Sequence, residues 1–169
     1  MAGDGWRRYR LQRKLFAIGE DFWIEDDQGQ QGYKVDGKAL SLRHRFILED
    51  ANGAELLTGE SRLIAIQPTM TLERQGALYA TIKKKLFTIL HQAYTVEVAG
   101  GTEYDAEGDF TNHEYSVTAG GGQVAQISRA WFSIRDSYGI AVAPGADVPL
   151  LLAAAVCIDE ISERGRDNR

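Results

Sequence analysis

The stretch Asp147–Ile158, which reads DVPLLLAAAVCI, decides the fold of this 169-residue chain. Asp147 can cap a helix, and Pro149 suits the first helical turn, where a missing N–H costs nothing. Residues 150–158 are all apolar, so the predicted helix lacks the polar stripe that a surface helix has. A helix that is apolar on every side must be surrounded by the rest of the chain. We expect this central helix to cover residues 147–163.

The rest of the sequence offers strands to surround the helix. Apolar and polar residues alternate over 78–83, 94–98 and 115–119, as they do on β-strands with one buried face. The chain has 18 glycines, many in turn pairs such as Asn52-Gly53, a strong hairpin signal. This pattern predicts an antiparallel meander closed as a sandwich or a barrel. Because a barrel of about eight strands is filled by its own side chains, a central helix favours a wider barrel, with strands over 9–143.

Composition and charge exclude several classes of protein. The chain has 19 Lys and Arg against 24 Asp and Glu, a net charge of −5, which argues against nucleic-acid binding. One cysteine excludes an internal disulfide framework, and without a secretory signal it indicates the cytoplasm. The apolar run 148–158 is shorter than the about 20 residues that span a bilayer. We expect one cytoplasmic domain over 1–169, with a frayed tail at 164–169.

An ordered set of short motifs resembles a known family. The motifs are KLF at 14–16, FWI at 22–24, YKVDGK at 33–38, ATIKKK at 80–85, EGDF at 107–110, VAQIS at 124–128 and DSYGI at 136–140. Together with the helix, the set resembles the LURP-one-related family of the tubby C-terminal-like superfamily.

The resemblance implies a mainly β fold, in which a closed antiparallel barrel of about twelve strands wraps around a central hydrophobic C-terminal helix. It also implies a protein that is not an enzyme, in a superfamily that includes phosphoinositide-binding tubby domains and phospholipid scramblases. The helix residues that we expect inside the barrel are Leu151, Leu152, Ala155, Val156 and Ile158.

Basic residues provide the candidate binding site. The densest basic run is Lys83, Lys84 and Lys85. Arg43 and Arg45 add to it, as does an N-terminal cluster of Arg7, Arg8, Arg10, Arg13 and Lys14. Such a patch could hold an anionic headgroup, with about 1 kcal/mol from each Lys or Arg near a membrane surface. Alternatively, these charges are solvated on the outer face of a strand. The tubby phosphoinositide site does not transfer residue by residue.

The leading hypothesis is a non-enzymatic cytoplasmic barrel, free or peripheral at the membrane. It would bind phospholipid headgroups or a protein partner. The histidines lack metal-ligand spacing, and no nucleophile motif is present. Cys157 lies among apolar residues, where a thiol is unreactive. We therefore expect no catalytic residue, cofactor or metal.

Two alternative functions remain open. The acidic stretch 103–114 could supply paired carboxylates to a hydrolase, or it could be a solvated loop. Scramblase-like lipid handling would require the helix to leave the barrel. Scramblases carry an acidic, calcium-binding segment where this chain has 136–140, but Asp136 alone supplies too few ligands. We expect a turn there instead, with Gly139 in a permissive φ.

Overall fold

The computed structural model describes residues 5–12, 21–37, 45–62, 67–85, 92–132 and 137–167. These residues form a closed barrel of twelve antiparallel strands and one C-terminal helix. The strands are β1 (Arg7–Gln12), β2 (Phe22–Asp26), β3 (Gln31–Asp36), β4 (Arg45–Asp50), β5 (Glu55–Arg62), β6 (Thr69–Arg74), β7 (Ala77–Lys85), β8 (Ala93–Val98), β9 (Glu103–Asp109), β10 (Glu114–Ala119), β11 (Gly122–Ser128) and β12 (Ser137–Val142). The helix is α1 (Val148–Asp167).

Each strand pairs with its neighbours in the sequence, and β1 closes the barrel by pairing with β12. That closing pair runs in register from Arg7↔Val142 to Gln12↔Ser137. By contrast, β1 and β2 pair only through Tyr9↔Asp26 and Arg10↔Glu25. Closure removes the unpaired sheet edges that would otherwise invite aggregation.

Tight turns lie at the end of the barrel where α1 begins, which we call the entry end. In the β4–β5 turn, the Oδ1 atom of Asp50 accepts hydrogen bonds from the amides of Asn52 and Ala54, at 2.8 and 2.9 Å. Gly53 has a φ of 86° in this turn, a conformation that favours glycine. The β2–β3 turn repeats the arrangement, with Asp26 as the acceptor. The opposite end, where α1 ends, is the exit end.

The helix occupies the core of the molecule. All side chains from Leu150 to Ser162 are buried, and because a helix turns every 3.6 residues, all its faces are covered. The buried set includes the predicted core residues Leu151, Leu152, Ala155, Val156 and Ile158. Asp147 caps the helix by accepting a hydrogen bond from the amide of Leu150 at 3.2 Å. The predicted closed antiparallel barrel with its C-terminal helix is confirmed.

The helix extends further than the sequence indicates. It continues to Asp167, four residues past the predicted end at 163. Arg164 explains the extension, because its Nε donates to Glu160 at 2.7 Å and its Nη1 donates to the hydroxyl of Ser61 at 2.8 Å. These contacts fix the last turns of α1 to strand β5.

The turn predicted at Gly139 is also wrong. Gly139 lies within β12 and is absent from the positive-φ residues. A Cβ at this position would lie 2.7 Å from the Phe132 ring and 2.8 Å from the Trp131 ring. The glycine is therefore needed for the close approach of these rings to the strand. Asp136, the only acid of the segment 136–140, lies outside the described residues.

Two smaller expectations fail on strand geometry. The acidic stretch is not a loop, because residues 103–109 form β9. Leu78 does not share the buried face of Ala80 and is 52% exposed. Leu72 pairs with Ala80, but Glu73 pairs with Leu78, so Tyr79 is an extra residue on β7. Such a bulge turns the side chain on its far side, here that of Leu78, to the opposite face of the sheet.

Candidate functional site

The lysine run is divided between the two faces of β7. Ala80 and Ile82 are buried, so the alternation turns Lys84 inward, where it lies close to Gly165 of α1. Lys83 and Lys85 point outward, and each meets a carboxylate, Lys83 on the neighbouring strand β8 and Lys85 one strand further away, on β9. The Lys83 Nζ lies 3.1 Å from Glu97, and the Lys85 Nζ lies 2.9 Å from Asp105. The hydrogen bond to Asp105 is the main reason why the pKa of Lys85 is raised.

The structure does not assemble the four basic candidates that it describes into one patch. Arg43 lies outside the described residues. Arg45 is exposed at the start of β4, opposite Glu60 on β5. Strands β5 and β6 separate it from the lysines of β7.

The carboxylates of the acidic stretch serve local structure. Asp105 binds Lys85, as described. Asp109 accepts hydrogen bonds from the backbone and side-chain nitrogens of Asn112 at 3.1 and 2.7 Å, which lower its pKa. Glu114 accepts from Ser128 and from the amide of Arg129. Asp105, Asp109 and Glu114 thus have separate partners, while Glu103 and Glu107 add to the negative charge near Lys85. No group of metal-binding side chains occurs within the described ranges.

A cleft of about 600 Å³ opens at the entry end, between the start of β1 and the β2–β3 and β4–β5 turns. It exists because β2 ends opposite Tyr9, so the first residues of β1 extend past the sheet pairing on that side. Its lining combines cations, aromatic rings, amides and carboxylates: Arg7, Arg8, Tyr9, Asp26, Asp27, Gln28, Gln30, Gly32, Tyr33, Asp50, Ala51 and Asn52.

The arginines of this cleft differ from Lys83 and Lys85 in ion pairing, although Asp26, Asp27 and Asp50 also line the cleft. Arg7 and Arg8 are exposed, and neither forms an ion pair within 4.0 Å in the part of the chain that the structure describes. Arg8 instead lies 5.0 Å above the Trp131 ring. The Oδ1 atoms of Asp26 and Asp50 are occupied by turn amides.

Aromatic side chains form one wall of the cleft. The rings of Tyr9 and Tyr33 meet edge to face, with centroids 5.8 Å apart. Burial is the main cause of the raised pKa of Tyr33, followed by the proximity of Tyr9. The Tyr33 phenol therefore stays neutral over the physiological range, and both rings contribute apolar surface beside the arginines.

The chain matches the LURP-one-related family over residues 7–159. It belongs to that family. The uncharacterized protein YxjI of Bacillus subtilis (strain 168) is 26% identical over 157 residues, which cover 93% of this chain and 94% of YxjI. The X-ray structure of the Arabidopsis thaliana protein AT5G01750 is similar, with a TM-score of 0.68 and 18% identity, over 93% of this chain and 91% of that one. These comparisons confirm the family and the fold.

Inside this LURP-one-related barrel, a polar cluster surrounds Asp159 of α1. The His113 Nε2 lies 2.8 Å from one carboxylate oxygen, and the Tyr138 hydroxyl donates to the other. The rings of His113 and Tyr138 stack with centroids 4.2 Å apart. His113 has a φ of 55°, an uncommon backbone conformation for a residue with a side chain.

Sequence reasoning did not find the cleft or the buried cluster as sites. Arg7 and Arg8 were noticed only as part of a basic N-terminus, and the turn residues only as hairpin signals. His113 and Asp159 are 46 positions apart in the sequence. The one available signal is a pair of acids, Asp159 and Glu160, directly after the apolar run 148–158.

The structure was also searched for a helix that could cross a membrane. In the regions described, no helix is both long enough and apolar enough to do so.

Proposed function

We propose that this LURP-one-related protein is a non-enzymatic binding protein whose cleft accepts a phosphate-bearing anion through Arg7 and Arg8. The observation that supports it most is the contrast in charge compensation. The cleft presents two exposed guanidinium groups without an ion pair among the described residues, whereas Lys83 and Lys85 each hold a carboxylate. Neither arginine has to release a carboxylate among the described residues before it binds an anion, although Arg8 also contacts the Trp131 ring.

The chemistry of the lining suits such a ligand. Guanidinium groups bind phosphate oxygens in a two-pronged geometry, which favours phosphate over other anions. The Tyr9 and Tyr33 rings offer apolar contact beside the charge, and the Asn52 side chain adds a hydrogen-bonding group. A volume of about 600 Å³ lies within the usual range for small-molecule sites, about 300–1,000 Å³. The phosphate could belong to a soluble metabolite or to a phospholipid headgroup.

The expected contribution of the two arginines can be estimated. At about 1 kcal/mol for each cation near an anionic surface, the pair gives about 2 kcal/mol. This corresponds to about a 30-fold change in affinity. Because the arginines are exposed, the binding should weaken as salt screens the charges.

The test compares two double variants with the same change in net charge. Arg7→Gln/Arg8→Gln removes the cleft cations, and Lys83→Gln/Lys85→Gln removes the paired lysines. Each protein is titrated with inorganic pyrophosphate by calorimetry. Each is also sedimented with phosphatidylcholine vesicles, with and without phosphatidylserine, at low and high salt.

The proposal expects salt-sensitive binding that the arginine variant loses and the lysine variant keeps. Binding to pyrophosphate alone would identify a soluble ligand, and binding to the anionic vesicles would identify a headgroup and a peripheral cytoplasmic protein. Loss of binding in the lysine variant alone would show that the anion binds to Lys83 and Lys85 of β7 instead. No binding of either probe would overturn the proposal and favour a protein partner instead.

A further inference from the structure

Three buried polar atoms near Asp159 lack a hydrogen-bond partner among the described residues. They are the hydroxyls of Tyr94 and Tyr115 and the Nδ1 atom of His113. All three side chains are buried. Native proteins rarely leave buried polar groups without a partner, because each such group costs about 1–3 kcal/mol.

These atoms belong to one region of the core. The Phe110 ring lies between the two tyrosines, with centroids 4.6 Å from Tyr94 and 4.6 Å from Tyr115. Burial raises the pKa of both phenols, and the nearby Asp159 carboxylate raises it further. Both tyrosines are therefore neutral hydroxyl donors that face the same buried charge.

The protein itself offers these hydroxyls no better acceptor. One oxygen of Asp159 contacts His113 and the other accepts from Tyr138. Ser162 lies near the Tyr94 hydroxyl, but no described side chain forms a hydrogen bond with that hydroxyl or with the hydroxyl of Tyr115. A phenol donates and accepts, and an imidazole nitrogen does one or the other. A molecule that both donates and accepts could therefore serve all three groups.

We propose that ordered water, as one molecule or a short chain, binds inside the barrel between Tyr94, Tyr115 and His113. Buried waters typically make about three hydrogen bonds to groups that are otherwise unpartnered, and proteins hold about one per 27 residues. Here the water would connect β8, β10 and the β9–β10 turn beside α1. It would extend the polar contacts of the helix beyond the Asp159 carboxylate.

The test is a double-mutant cycle with Tyr94→Phe and Tyr115→Phe, in which the equilibrium between folded and unfolded protein is measured in urea. If water bridges the hydroxyls, each substitution should lower the folded-to-unfolded ratio about fivefold, the loss of one ordinary hydrogen bond. The double variant should lose less than the product of the two single losses, because both hydroxyls depend on the same water. Tyr104→Phe, at a half-buried position of β9, is the matched control and should change the ratio little.

If a hydroxyl is buried without water, replacing its tyrosine with phenylalanine should raise the folded-to-unfolded ratio, because the substitution removes an unpaired polar group. An unchanged or increased ratio in both single variants would therefore overturn the proposal. A crystal structure gives a second readout. Water density within about 3.2 Å of the Tyr115 hydroxyl oxygen would support it, and a dry hydroxyl would overturn it.

Discussion

Replacing Leu152 with alanine should lower the free energy of unfolding by several kcal/mol. Leu152 is 0% exposed and lies in the middle of the buried part of α1. Truncating a leucine in such a site costs about 2–5 kcal/mol, from lost burial and the cavity that remains. The free energy of unfolding of a domain of this kind is about 5–15 kcal/mol, so the variant should still fold, but with a clearly lower stability.

A leucine outside the core provides the matched control. Leu78 is 52% exposed, and surface substitutions usually change stability by about 0.5 kcal/mol or less. Urea denaturation of both variants, followed by circular dichroism, should show a lower midpoint for Leu152→Ala alone, with a similar slope. Leu152→Asp should not fold, because a buried unpaired charge costs several kcal/mol more. A folded Leu152→Asp protein of unchanged stability would refute the enclosed helix.

Two further predictions concern close packing and a surface carboxylate. A Cβ at Gly59 would lie 2.2 Å from the Phe46 ring, so Gly59→Ala should cost about 1–3 kcal/mol in the same assay. Gly122→Ala is the control and should change stability little, because a Cβ there would have its nearest contact at 3.8 Å. Equal losses of stability in the two variants would contradict the close packing of Phe46 on Gly59. Asn112 lowers the pKa of Asp109, so this contact stabilises the fold above the unfolded-state pKa and is lost as the pH falls through the folded-state pKa. Asn112→Ala should raise that pKa in an NMR titration, and an unmoved pKa would contradict the contact.

The architecture could be predicted because one local pattern determines it. A helix without a polar stripe must be enclosed, and the alternating segments between glycine turns are the only elements that could enclose it. The failures come from contacts between distant residues. Gly139 resembles a turn residue until Trp131 packs on its outer face, and the end of α1 depends on Ser61 of β5.

The site was harder to predict for the same reason. The lysine run is plain in the sequence, but its pairing with Glu97 and Asp105 follows from the register of β7, β8 and β9. The cleft depends on the register of β1 with β2, which brings Arg7 beside the β2–β3 and β4–β5 turns. No local sequence pattern predicts that Arg7 lies beside these two turns.

The most direct test of where the ligand binds is NMR mapping of the intact protein. Backbone amide shifts would be followed during a titration with pyrophosphate. Binding in the cleft should shift the amides of residues 7–9, 28–33 and 50–52, while those of residues 83–85 stay unchanged. Shifts centred on 83–85, or no shifts at saturating pyrophosphate, would contradict the assignment of the site to Arg7 and Arg8.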